Sequence, residues 1–112
     1  MNLLIAGSRS ITMYDLSPYI APQTTLIISG GAQGIDTIAE QYADRHRISK
    51  LILRPNYARY QKSAPIKRNH QMVDIADEIL IIWDGKSKGT LHTIEYAKKA
   101  KKSIKIIIYS KE

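Results

Sequence analysis

The chain has 112 residues, a formal net charge of +7, 44% hydrophobic and 24% charged residues, and no cysteine. That length suits a single domain over residues 1–112, and the balance is that of a globular rather than a disordered chain. Disulfides and thiolate metal sites are excluded, no apolar run approaches the ~20 residues of a membrane span, and no basic leader marks a secretory signal, so a cytoplasmic protein without membrane partners is expected.

In chain order, Asn2–Ala6 (NLLIA) reads as a first strand, with Gly7, Ser8 and Arg9 directly behind it. Tyr14–Ile20 is expected to form a short helix stopped near Pro22. Thr25–Ser29 (TLIIS) reads as a second strand and runs into Gly30, Gly31 and Gly34. Ile35, Ile38, Ala39, Tyr42 and Ala43 then recur at i, i+3, i+4, i+7 and i+8, one apolar helix stripe. Leu51–Leu53 (LIL) is a third strand, followed by an Asn56–Lys62 loop. Ser63 and Pro65 announce a helix over Ile66–Ala76. Glu78–Trp83 (EILIIW) is a fourth strand, Leu91, Ile94 and Ala97 mark a last helix, and Ile104–Tyr109 (IKIIIY) is a fifth strand. Most of these strands lack polar alternation, which suits burial on both faces of a parallel sheet. The expected fold is therefore α/β: a Rossmann-like, doubly wound, mainly parallel five-stranded sheet in the order 3-2-1-4-5, with helices on both faces. Ligands of such sheets bind beyond the carboxyl ends of the strands where the order reverses, here between the first and fourth.

Residues 98–112 hold six lysines against Glu112, most of the net charge. This reads as a solvated end of the last helix, where cations suit the dipole.

All six glycines follow strands: Gly7 after the first, Gly30, Gly31 and Gly34 after the second, Gly85 and Gly89 after the fourth. Glycine lets backbone N–H groups approach a ligand without an intervening Cβ, and two of these loops run into helices whose positive ends favour anions. Tight strand-to-helix turns want the same residue, but three such loops on one edge point to a phosphate site. Gly85-Lys86-Ser87 is not a P-loop, because Leu80 stands where the earlier glycine belongs. Gly30–Gly34 does not have the dinucleotide spacing either.

Arg9 and Arg68 are candidate anion ligands, since a guanidinium pairs with phosphate in two places, and Asn69 is a candidate for a base or ribose edge. Ser29 ends the second strand, and Asp36 is placed to cap the following helix or orient its loop. Asp84 is placed to accept from sugar hydroxyls, and Thr90 to cap the last helix or touch phosphate. Tyr57 and Tyr60 are better placed than Trp83 to stack on a base. His46, His70 and His92 lack ligand spacing, so no metal and no cofactor is expected.

Gly7-Ser8-Arg9, Ser29-Gly30-Gly31-Ala32-Gln33-Gly34-Ile35-Asp36, Lys67-Arg68-Asn69 and Lys88-Gly89-Thr90-Leu91-His92-Thr93 together resemble the motifs of the SLOG superfamily, which joins Smf/DprA and LOG-type proteins, and most closely its small single-domain YspA-like branch. The resemblance implies a nucleotide-binding pocket lined by Gly7, Ser8, Arg9, Gly30, Gly31, Gly34, Arg68, Asn69, Gly89 and Thr90. LOG-type phosphoribohydrolases carry a glutamate three residues after the threonine of the Gly-Thr motif. Thr93 stands there, and Glu95 lies two residues on, turned by ~200° on a helix. Three functions follow. A module that binds a nucleotide or ADP-ribose-like molecule, as sensor or sequestering protein, leads. A nucleoside-monophosphate phosphoribohydrolase using Glu95 or Asp84 is second. Single-stranded DNA binding through Arg9, Lys98–Lys102 and Tyr57 or Tyr60 is third. Homodimers or higher homo-oligomers are expected from the resemblance, with no interface legible.

Overall fold

In a computed structural model, which describes residues 1–110, strand and helix alternate along the chain. The strands are β1 (Asn2–Gly7), β2 (Leu26–Ser29), β3 (Ser49–Ile52), β4 (Glu78–Trp83) and β5 (Ser103–Ile108). They form one sheet in the order β3-β2-β1-β4-β5, every neighbouring pair parallel. The helices are α1 (Ile35–Arg45), a single turn α2 (Tyr57–Tyr60), α3 (Ala64–Ile75) and α4 (Lys88–Lys99). This is the expected α/β architecture and strand order. No helix among the described residues is long and apolar enough to cross a membrane.

Side chains of a strand alternate between faces, so β1 feeds two cores. Leu3 and Ile5 pack with Ile27, Leu80, Ile82 and, from α1, Ile35, Ala39 and Ala43. Leu4 and Ala6 pack on the other face with Ile28, Ile79, Ile81, Met72 and Val73 of α3, and Ile94 and Ala97 of α4. The unbroken apolar runs of β1 and β4 exist because both of their faces are covered.

Three expectations are corrected. Tyr14–Ile20 is not an α-helix; only Ser17–Tyr19 forms a 3-10 turn. Pro18 sits inside that stretch, has no N–H to continue a ladder, and disfavours the helical conformation in Ser17. The segment is fastened by its side chains instead. Ile11 and Leu16 are fully buried, the Tyr14 and Tyr19 rings stack at 6.3 Å, and Asp15 Oδ1 accepts from Ser17 N at 3.0 Å. The third strand runs over Ser49–Ile52 rather than Leu51–Leu53. As an edge strand its first three residues are exposed and need not be apolar. The Asn56–Lys62 loop also contains more order than expected, since Asn56 Oδ1 accepts from Arg59 N at 3.2 Å and starts α2.

Candidate functional site

The loops leaving β1, β2 and β4 lock together where the strand order reverses. Ser8 is the hub and is fully buried. Its N–H donates to Ile82 O (3.1 Å), its carbonyl accepts from Ile35 N (3.3 Å), and its hydroxyl accepts from Asp84 N (2.9 Å). Gly34 lies on the backbone of this turn. Its φ is +74°, and a Cβ would meet Arg9 O at 2.6 Å, so both conformation and space demand glycine. At Gly30 a Cβ would lie 2.7 Å from Arg68 Nη1 and 3.0 Å from Asp36 Oδ2. Gly34 is therefore required by the backbone of the rim itself, whereas at Gly30 the space is taken by the Arg68 and Asp36 side chains.

Arg68 is a clamp as well as a cation. Nη1 donates to Gly30 O (2.7 Å) and Leu53 O (3.2 Å), and Nε donates to Asn69 Oδ1 (2.9 Å). A guanidinium has five N–H groups, so the Nη2 pair is left for a ligand. Burial pushes its pKa down, and the nearby Asp36 carboxyl opposes that shift. Asp36 does not cap α1, whose N-cap is Gly34. Its Oδ2 accepts from Ala32 N at 3.1 Å and orients the glycine loop. Burial pushes its pKa up, against the bond from Ala32 and the charge of Arg68. Ser29 donates to Glu40 Oε2 at 2.7 Å and accepts from Gly31 N at 3.2 Å. Asp84 ties the β4–α4 turn: Oδ1 accepts from Lys86 N (2.8 Å) and Ser87 N (2.9 Å), and those bonds hold its pKa low.

Beside this framework lies a cleft of about 130 Å³. Of the sequence candidates, Gly7, Arg9, Asp36, Arg68, Asn69, Gly89 and Thr90 line it. Ser8, Ser29, Gly30, Gly31, Gly34 and Asp84 stand behind it as supports, and Gly85 points into open space with φ +80°. Glu95 is in a separate groove with His70, His92, Tyr96 and Lys99, so the structure does not bring it to the cleft. Sequence reasoning missed Ala6, Ala32, Pro65, Met72, Ser87 and Thr93 as lining residues. Met72 lies one turn beyond Arg68 and Asn69, a spacing that would have found it. In the sequence Thr93 marks only the absence of a glutamate. No group of three His, Asp or Glu residues among the described residues is placed to hold a metal.

Of the helices that start at this rim, α1 and α4 differ in their first amide. The first amide of α1 is already used by Ser8 O. In α4 the first intrahelical bond is Leu91 N to Ser87 O at 3.2 Å, so the amides of residues 88–90 have no partner within the helix. Ser87 makes no side-chain cap there, and its hydroxyl sits 3.1 Å from that of Thr90. The open positive end of α4 therefore borders the cleft at Gly89 and Thr90. Trp83, the lone tryptophan, is half-buried and donates from Nε1 to Ser87 O at 3.1 Å.

Charge is sorted by the fold. Arg9, Arg54, Arg59, Lys62, Lys67, Arg68, Lys86 and Lys88 all fall on the rim segments, against Asp36, Glu40 and Asp84. Among these rim groups, cations outnumber carboxylates, as they also do in residues 98–112. Lys98–Lys102, by contrast, lie at the far end of α4, where Lys102 Nζ donates to Asp74 O and Ala76 O. A larger hollow of about 630 Å³ lies between Thr12–Ser17 and α1. Its charged lining residues, Asp15 and Arg45, cancel, so anion chemistry falls to the smaller cleft.

No protein-family model matches the chain. The chain is similar to the Gene 61 protein of Mycobacterium phage D29, with 28% identity over 112 aligned positions covering 88% of this chain and 90% of that protein.

Proposed function

We propose that the chain is a binding module for a nucleotide or nucleotide-derived, ADP-ribose-like ligand, with its phosphate in the cleft between β1 and β4. One observation carries the reading: the N-terminus of α4, Arg9 and Arg68, with its Nη2 group still unengaged, line one cleft whose lining holds a single carboxyl, Asp36. The volume of about 130 Å³ is below the ~300 Å³ of a pocket that encloses a drug-sized ligand. It suits a phosphate and its adjoining sugar, with the remainder of the ligand in the open groove. This is also the site that the resemblance to the SLOG superfamily implies. A phosphoribohydrolase reading draws less support, since neither Glu95 nor Asp84 lines the cleft.

Isothermal titration with ADP-ribose and AMP tests the proposal. Arg9 is exposed, so Arg9→Ala leaves the fold intact and costs ~10-fold or more in affinity, the worth of a charge-assisted hydrogen bond. Full affinity in that variant rejects the site. The second reading is a single nucleic-acid strand along the rim, favoured by its cations and by Tyr57, which is 60% exposed there. That reading predicts an affinity falling steeply with salt, by ~0.7 in log–log slope per phosphate neutralised; a slope near zero rejects it.

A further inference from the structure

The two edges of the sheet differ in how they are guarded. An edge strand offers unpaired N–H and C=O groups, and folded monomers blunt it with short strands, lysine or proline. β3 follows that rule: it has four residues, its Lys50 is paired with Asp44 at 2.9 Å, and Pro55 follows shortly after. β5 does not. It has six residues, SIKIII, with no proline. Its lone cation, Lys105, is folded onto the face of the sheet, with Nζ 5.2 Å from the centroid of the Tyr19 ring. None of its four isoleucines is buried, and Ile108 is 59% exposed. Ile79, Ile81 and Ile82 of the adjacent β4 are all at 2% or below.

The direction of each backbone group on β5 follows from one bond. Tyr109 N donates to Trp83 O at 2.7 Å, so Tyr109 faces β4. Backbone groups of alternate residues share a side, which turns Lys105 and Ile107 toward β4 as well and leaves Ile104, Ile106 and Ile108 facing outward. We propose that this outer edge is a dimer interface, on which β5 of a second copy of this chain pairs antiparallel about a two-fold axis at Ile106.

The register is selected by the residues. Centred on Ile106, the pairing sets Ile106 of one copy opposite Ile106 of the other and Ile104 opposite Ile108. Each is a pair that exchanges both backbone bonds, so every outward N–H and C=O of the strand is used. Opposed residues share a face, so Lys105 lies opposite Ile107 and the two ammonium groups do not meet. Centring on Lys105 instead opposes two like charges and pushes Ile108 beyond the end of the partner strand. A slip by a single position opposes residues of different faces. The interface is isologous and closed, as a two-fold contact requires, and it removes both exposed β5 edges at once. A second copy is favoured over another partner because this one strand supplies both halves of an all-isoleucine hydrogen-bonding set.

Sedimentation equilibrium of the full chain, coupled to amide hydrogen exchange, tests this. The expected mass is twice the 12.7 kDa of one chain. Ile108→Pro removes an outward N–H that β4 does not use, which an edge strand tolerates, and Ile108→Lys places a charge beside Ile104 of the other copy. Both variants are expected to sediment as one chain with an unchanged circular-dichroism spectrum. In the unsubstituted protein the amides of Ile104, Ile106 and Ile108 exchange slowly, and they become fast in the variants or on dilution to the monomer. The Tyr109 amide stays slow throughout. A mass of one chain at ~100 μM, a dimer that survives Ile108→Pro, or fast exchange at Ile104 and Ile106 in a dimeric sample each overturns the proposal. The exchange measurement decides the matter even if a variant fails to fold.

Discussion

Arg68 separates two uses of one side chain, and Arg68→Ala measures the structural one. The substitution removes the donors to Gly30 O at 2.7 Å, Leu53 O at 3.2 Å and Asn69 Oδ1 at 2.9 Å. Hydrogen bonds from a charged group contribute ~1.5–3 kcal/mol each, and they are not additive within one side chain. Gly30 is buried, so its carbonyl regains little water, while Leu53 is only half-buried. The net expectation is a loss of ~2–4 kcal/mol without ligand present. For a chain of this size ~4 °C accompanies each kcal/mol, so the thermal midpoint falls by ~8–16 °C. Urea denaturation should show the same loss through a lower midpoint at unchanged slope. Arg68→Lys keeps the charge but reaches at most one carbonyl, so it recovers only part of the loss. If Arg68→Ala unfolds within ~0.5 kcal/mol of the unsubstituted protein, Arg68 does not clamp the rim. The guanidinium would then be a free cation and would not organise the cleft.

Gly34→Ala combines a left-handed φ of +74° with a Cβ 2.6 Å from Arg9 O, so it destabilises by at least ~3 kcal/mol; a melting midpoint within a few degrees of the parent would contradict that. Asp36 keeps its proton to higher pH folded than unfolded because burial pushes its pKa up. The folded state thus binds more protons just above the ordinary carboxylate range, and stability falls as pH rises through that window. Urea midpoints measured from pH 4 to 7 should show this slope, and Asp36→Asn should flatten it. Ionisation of Asp36 also sets a negative charge in the cleft lining, so affinity for ADP-ribose, whose diphosphate does not titrate there, should rise as pH falls through the same window. Thr24 Oγ1 is buried without a hydrogen-bond partner; Thr24→Val should stabilise by ~1 kcal/mol, and a loss of stability would reveal a partner.

The rim illustrates how linear charge differs from charge in space. Along the sequence the lysines of residues 98–112 dominate. α4, however, runs from the rim to the opposite end of the sheet and carries Lys98 and Lys99 with it. Lys102 then spends its ammonium on the carbonyls of Asp74 and Ala76. The cations around the cleft come instead from short segments far apart in the chain, between Arg9 and Lys88. Their gathering is what links the arrangement to an anionic ligand.

Periodicity and composition determined the strand order, the two-faced core and the edge on which the glycine loops meet. Those features follow from local pattern plus the handedness of parallel crossovers, which hold wherever the pattern occurs. The tertiary structure alone decided which polar groups are free and which are already engaged. Ser8 and Asp84 read as ligand-facing, yet each completes a turn in a neighbouring loop. Arg68 gives both Nη1 donors to carbonyls of Gly30 and Leu53, and the first amide of α1, unlike that of α4, is already engaged by Ser8 O. A hydrogen-bonding partner is set by position in space, and residues as distant in sequence as Ser8 and Asp84 meet only after the sheet has assembled.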